Sequence, residues 1–308
     1  MKDNIHIGEV IKSCRVAAGL SQEELAESIC SREYLGKVER GLNAPTIEVI
    51  DSLSERLNQN IYELYSLLLK HSDIKTHIKI ESMNEYFTYG KISEILPLLE
   101  ECSADPAFQT GEPFQILMYG YALYYSLTLR QYSTSIDYSL KGLLSKYRTT
   151  DQICSLKHHY SNVDITLMQH WAVNICRLND NAGLDILNFL LEYLFQTLSD
   201  SQYRVNAVHR FESKIIGPVC YNKFLFQKAF DIALSESDLS QLNTSISLMK
   251  KNSSMYFLPE LLLIRGNIYK KSGNNDAADF DLKTGKALGS FLYDDTYLEK
   301  IIKEAASI

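Results

Sequence analysis

At 308 residues the chain is too long for one ordinary helical domain and suits one small domain plus one larger one. Hydrophobic residues make up 45% and charged residues 22%, which excludes a disordered chain; only 14 Gly and 6 Pro interrupt it, which favours helices over many short strands. The net charge of -7 argues against a uniformly basic nucleic-acid binder, and residues 1–70 carry eight Lys and Arg against eleven Asp and Glu, so DNA binding would need cations gathered on one face.

The first pattern is IGEVIKSCRVAAG, in which Ile7, Val10, Ile11 and Cys14 recur at helical spacing and Gly19 stops the helix. Ser21 then caps a second helix, and Glu24, three residues on, completes a capping box; Leu25, Ala26 and Ile29 face inward. Ser31 caps a third helix with apolar contacts from Tyr34, Leu35 and Val38 and an end at Gly41. Thr46 caps a fourth, whose stripe is Ile47, Ile50, Leu53 and Leu57, and IYELYSLLLK is the fifth. Five short helices with small residues between the second and third make a compact bundle.

Across residues 5–65 this string resembles the phage-repressor, Cro-like helix-turn-helix family, including the capping, the turn, the ERG ending and the Pro-containing loop that follows. The resemblance implies that the helix opening at Ser31 enters the major groove of DNA with its leading side chains at base edges. By position, Arg32, Glu33 and Lys37 point into the groove. Arg32 would fork onto guanine and Glu33 would accept from cytosine, although Glu33 also suits the first turn of a helix for its charge alone. Ser31 is counted with this DNA-facing set, and Gln22 and Arg40 are placed to hold phosphate. The resemblance assigns Arg15 and Glu39 a structural role, as a partly buried ion pair tying the first helix to the third.

Residues 67–80 read as a connecting helix or hinge between a head at 1–66 and a helical region at 81–308. Amphipathic runs follow around Met83–Tyr89, then ISEILPLLEE, PFQILMYGYALYYSLTL, YSTSIDYSLKGLL, GLDILNFLLEYLFQTL, YRVNAVHRFESKII, KFLFQKAFDIALSES and LPELLLIRGNIYKKSG. Near the end, Gly266 and Tyr269 sit three apart, Ala278 follows Gly266 by twelve and Leu282 follows Ala278 by four. This spacing resembles a tetratricopeptide repeat, with a small residue where two helices cross. Gly217, Ala229 and Ala233 make a weaker copy, and Tyr121–Leu143 fits by its aromatics and leucines. The expected fold is therefore all-α: a five-helix Cro-like head followed by a degenerate tetratricopeptide-like superhelix.

Stacked helical pairs suit an extended peptide, whose backbone asparagine side chains can bond from both ends. Candidate peptide contacts are Asn174, Arg177, Asn206, Arg210, Asn222, Lys223 and Asn267, each of which also reads as an ordinary helix or loop residue. The motifs of common enzymes are absent: no GxxxxGK[ST], GxGxxG, HExxH or GxSxG. His158, His159 and His170 lack an obvious carboxylate or thiol to complete a metal site, so no metal and no cofactor are expected. The six cysteines (14, 30, 102, 154, 176, 220) form no C-x-x-C pair and read as thiols of a cytoplasmic protein. No run of 18 apolar residues predicts a membrane span, and the first residues lack the apolar core of a signal peptide.

Together, a Cro-like head and some 240 residues of degenerate repeats resemble the Rgg/PlcR/PrgX class of bacterial quorum-sensing regulators. That resemblance implies a homodimer, a double-stranded DNA operator with two half-sites, and a short signalling peptide, secreted, re-imported and bound in the cytoplasm. Three other readings stand beside it: a DNA-binding regulator whose repeats are a docking or oligomerisation scaffold, a helical-repeat inhibitor or phosphatase-type protein with a vestigial head, and a dedicated enzyme. Arg32 and Lys37 at groove-facing positions argue against a vestigial head.

Overall fold

The local capping signals of the sequence recur as geometry in the computed structural model, which describes residues 6–70, 74–155, 159–199 and 208–308. All elements among these residues are helical. Two compact units divide the chain: Met1–Thr88 with Asp105–Phe108, and Tyr89–Ala104 with Gln109–Ile308.

In the first unit α1 spans Ile7–Ala17, and Gly19 beyond it takes the left-handed backbone that a side chain would resist. α2 (Gln22–Ala26) opens on a complete capping box between Ser21 and Glu24, and α3 (Arg32–Glu39) opens on Ser31, whose Oγ accepts from the Tyr34 N–H at 3.1 Å. Thr46 accepts from the Val49 N–H to start α4 (Ile47–Leu57), and α5 runs Ile61–Lys70. Val10, Ile11, Leu25, Ala26, Leu35, Val38, Ile50, Leu53, Leu57 and Ile61 form one core. Each large member removes a side chain from water, worth about 1.5–3 kcal/mol. Arg56 of α4 donates from Nη1 to the carbonyls of Glu24, Leu25 and Glu27, placing a cation on the negative end of short α2.

One expected member of the stripe lies elsewhere. Ile47, in the first turn of α4, is 64% exposed and takes no part in the core. α6 (Ile74–Thr88) belongs to this same unit and buries Thr76, Ile80 and Met83. The expected hinge at 67–80 thus falls on the end of α5, on the start of α6, and on residues 71–73, which lie outside the described residues.

The second unit is a succession of helical pairs. A 3₁₀ turn at Ile92–Glu94 precedes α7 (Leu96–Ser103), so the run ISEILPLLEE breaks before Pro97 instead of forming one helix. Next come α8 (Gly111–Leu123), a π turn at Tyr124–Thr128, α9 (Tyr132–Leu144) and the single turn α10 (Thr150–Ile153). The rest are α11 (Asn162–Arg177), α12 (Ala182–Ser199), α13 (Val208–Ala229), α14 (Glu236–Lys251), α15 (Leu258–Lys271), α16 (Asn275–Leu292) and α17 (Asp295–Ser307). α8 pairs with α9, α11 with α12, α13 with α14 and α15 with α16. The first helices of the pairs also neighbour one another along the series, and α17 closes the end against α15 and α16. A continuous core of leucine, isoleucine and aromatic side chains runs from Leu143 to Ile308.

The repeat spacing read at the C-terminus holds. A Cβ on Gly266 would meet Leu282 Cγ at 2.8 Å and the Ala278 carbonyl at 3.2 Å, so a hydrogen is all the α15–α16 crossing admits. Tyr121–Leu143 likewise falls on the α8–α9 pair. The weaker copy does not hold: Gly217 and Ala229 share the one helix α13, and Ala233 lies in the loop after it. From Val208 onward the runs YRVNAVHRFESKII and KFLFQKAFDIALSES are joined there through Pro218, and the helix stops at Ala229, before DIALS. Gly217 packs instead on the Tyr256 carbonyl and Phe257, a contact 39 residues downstream that no local spacing announces. Among the described residues no helix is long and apolar enough to cross a membrane.

Candidate nucleic-acid interface and ligand pocket

The chemistry of the first unit gathers where α1, α2 and α3 meet. Arg15 forks onto Glu39, Nε to Oε1 at 2.6 Å and Nη2 to Oε2 at 2.9 Å, and Nη1 donates to the Leu20 carbonyl at 2.8 Å. This is the structural ion pair expected from the sequence, buried on the carboxylate side. Burial alone would raise the Glu39 pKa; the hydrogen bonds from Arg15 and Gln22 outweigh it and hold the carboxyl below its ordinary value. The hydrogen bond to Glu39 in turn raises Arg15.

Gln22, expected at phosphate, donates from Nε2 to Glu39 Oε2 at 2.7 Å. Its amide therefore serves the same network while it borders a depression of about 480 Å³. Lys12, Arg15, Arg32 and Arg40 line that depression against only Glu33 and Glu39, and Glu39 is neutralised by Arg15. In a chain of net charge -7, this is a local face of cations. Gly36 in the middle of α3 lines it beside the Gln22 side chain. Lys12 was not singled out from the sequence; its signal is its place three residues before Arg15 on one helix face.

At the leading end of α3, Ser31, Arg32 and Glu33 are exposed. Arg32 has no ion pair among the described residues. Glu33 Oε1 and Lys37 Nζ pair one turn apart at 3.0 Å, and the bond to Lys37 lowers the Glu33 pKa. Arg40 donates Nε to the Gly36 carbonyl at 3.0 Å and is exposed.

The candidate peptide residues divide by burial. A small pocket of about 170 Å³ lies where α8, the π turn, α11 and α13 meet, and Arg177 and Asn222 both line it. Asn174 sits beneath, fully buried: its Oδ1 accepts from Ser126 Oγ at 2.7 Å, and its Nδ2 donates to Ser135 Oγ and to the His170 carbonyl. His170 Nε2 meets Ser135 Oγ at 3.1 Å, and burial pushes the imidazole down to about 4, so it is neutral at pH 7. Lys223 points into the core, paired with Asp238 at 2.6 Å and bonded to Gln241. Asn267 is half-buried and returns its amide to the Leu263 carbonyl, as Asn222 does to that of Pro218. Asn206, the Arg210 side chain and His158 lie outside the described residues, and His159 is exposed. A larger, acidic depression of about 480 Å³ runs between α12 and α14, lined by Asp185, Glu192, Phe189 and Phe195 among others.

The fold and the cation-lined face together define a chain that is helical throughout its described elements, with a helix-turn-helix head and a helical-repeat body. Residues 11–64 match the Helix-turn-helix family HTH_3. No curated protein matches the chain. Among solved structures it is similar to PlcR from Bacillus thuringiensis, in complex with the peptide PapR7 and DNA, at 20% identity over 96% of this chain and 98% of that one, with a TM-score of 0.63. ComR from S. thermophilus, in complex with DNA and its signalling peptide, follows at 16% identity, 97% and 98% coverage and a TM-score of 0.52. The SHP pheromone receptor Rgg2 of Streptococcus dysgalactiae shares 13% identity over 97% and 98%, with a TM-score of 0.51. At these identities the likeness is one of fold, and it spans both units.

Proposed function

We propose that this chain is a sequence-specific, DNA-binding transcription regulator whose activity is set by a short signalling peptide held in its helical-repeat unit. The observation that carries the first half is the exposed leading end of α3, with Arg32 lacking any ion pair among the described residues, beside a depression where Lys12, Arg32 and Arg40 remain once Arg15 and Glu39 neutralise each other. The Arg15–Glu39–Gln22 network fixes α3 against α1 and α2, so the exposed side chains are presented by a rigid rod. Arg32 would read a guanine edge, while Lys12 and Arg40 hold phosphates and set register. The peptide half is supported by a fold shared along the whole chain with PlcR and ComR, which are seen with peptide and DNA, and by a polar-and-apolar pocket on the first helices of the repeats.

The protein would act as a cytoplasmic homodimer on two half-sites. The peptide would change DNA affinity only through its differential affinity for two arrangements of the heads. It would not be an enzyme. The acidic depression between α12 and α14 favours a second reading, in which the repeats dock a protein rather than a peptide. Selection of duplexes from a random DNA pool by the full chain, followed by footprinting, tests the first half: a recovered inverted or direct repeat is expected, and unselective recovery overturns it. Mass spectrometry of the protein isolated from its own host tests the second. A co-purifying short peptide is expected, and its absence at every growth phase, with a bound protein present instead, supports docking.

A further inference from the structure

Three described arginines that hold side-chain partners differ in one respect. Arg15 forks onto Glu39, and Arg265 forks onto Asp281 at 2.6 and 2.9 Å; each cation has its carboxylate. Arg177 has the cradle without the acid. Its Nη1 donates to Ser126 Oγ at 2.7 Å and Asn174 Oδ1 at 3.3 Å, and its guanidinium lies 5.4 Å from the centre of the Tyr132 ring. All three partners are neutral, and Nε and Nη2 carry no hydrogen bond among the described residues. Arg177 as a whole is exposed, and partial desolvation of its guanidinium is the main influence on the group and lowers its pKa, so the cradle holds the cation in place at the pocket mouth.

The cradle is built, not incidental. Ser126 belongs to the π turn, a widened helical turn of the kind that recurs at functional sites, and it is 2% exposed. Asn174 is held in turn by Ser135, and Ser135 by the Ala122 carbonyl and His170, so the side chains that position Arg177 are themselves fixed. No Asp or Glu lines the pocket, and His170 is neutral, which leaves Arg177 as its charge. Beside it, Leu123, Leu127 and Val173 form an apolar wall. The volume of about 170 Å³ is close to the ~150 Å³ that accommodates a benzene ring, so it takes one side chain and not a whole peptide.

We infer that Arg177 is a specificity-determining anchor for a carboxylate on the ligand, with the apolar side chain of the same or the adjacent residue seated against Leu123, Leu127 and Val173. This rests on the peptide reading above and narrows it to peptides that bring an anion to this pocket. The carboxylate has two sources, the C-terminus or an Asp or Glu side chain. A fork of two donors facing a planar anion is the arrangement for which arginine outperforms lysine.

The test uses the immobilised full-length chain and three synthetic pools of short random peptides. The first has a free C-terminus and no Asp or Glu. The second is C-terminally amidated and contains Asp and Glu. The third is amidated and lacks both residues. Retained peptides are quantified by mass spectrometry. The wild type is expected to retain the first or the second pool at least about tenfold above the third, and the pool that wins names the source of the carboxylate. Arg177→Gln should abolish that preference and Arg177→Lys should restore part of it, with thermal melting of both variants establishing that they fold. Retention of the third pool equal to the others overturns the inference and leaves the peptide reading standing. Preference for a carboxylate that survives in folded Arg177→Gln also overturns it. Retention of no pool by the wild type overturns both.

Discussion

Glu39→Gln is the substitution whose cost the structure lets one work out. Glu39 accepts three hydrogen bonds, at 2.6 and 2.9 Å from Arg15 and 2.7 Å from Gln22, with its side chain 2% exposed. Glutamine keeps the shape but removes the charge and turns one acceptor into a donor that faces another donor. Breaking a buried pair from one side costs about 3–5 kcal/mol. Arg15 is 12% exposed and regains some water, which brings the expected loss to about 2–3 kcal/mol. The single tryptophan, Trp171, lies in the second unit and is a poor reporter for this site. Hydrogen exchange read by mass spectrometry on peptides from α1, α2 and α3 is the suitable assay, because it reports local opening. At 1.4 kcal/mol per factor of ten, exchange in those peptides should quicken roughly 30- to 150-fold. Glu33→Gln, on the exposed side of α3, should leave protection unchanged. Acceleration of less than about threefold in Glu39→Gln would refute the view that this network holds α3 rigid.

Arg32→Ala should weaken binding to the selected duplex by about 1–3 kcal/mol and relax preference at one base pair, and a gel-shift competition with unchanged preference would remove Arg32 from base readout. Gly266→Val should force α15 and α16 apart, since even a Cβ meets Leu282 at 2.8 Å; a urea midpoint lowered by about 1–3 kcal/mol of stability is expected, and an unaltered midpoint would show the crossing to be slack. Acid should loosen the second unit through Asp238. Burial alone would raise its pKa, but bonds from Lys223 and Ser235 bring it down to about 2 from an ordinary 3.8. A depressed folded-state value means the stabilisation is present above the ordinary pKa and is lost as pH falls through the folded one. Trp171 fluorescence in urea should show stability falling from about pH 4 towards 2, and Asp238→Asn should flatten that slope; an equal slope in both proteins would clear Asp238 of the effect.

What could be read directly from the sequence was what neighbours in sequence decide. Ser21 with Glu24, Ser31 and Thr46 cap their helices as expected, because a cap is satisfied within three residues. Gly266, Ala278 and Leu282 lie within one helical pair and were equally legible. The failures share a cause. Gln22 was read only as placed for phosphate, and the hydrogen bond it also donates to Glu39, 17 residues on, could not be read locally. Asn174 looked like a ligand contact, yet its partners Ser126 and Ser135 are 48 and 39 residues away, and three helical segments had to assemble before it was spent inside. Ile47 keeps the apolar period of α4 but lies outside the core at 64% exposed, which period alone does not reveal. Pairings over such separations leave no periodic trace, and a polar side chain looks alike on a surface and in a buried network.

The Glu33–Lys37 pair on the outer face of α3 has a consequence for discrimination. While unbound, each side chain already satisfies the other, so neither is an idle hook for whatever duplex drifts past. Under the proposed groove contact, a correct target would have to supply a substitute for both at once, whereas a wrong one would let the two close back on themselves. Selectivity at these positions would then reside in an exchange of partners, and separating the pair by mutation should make the head stickier and less discerning at the same time.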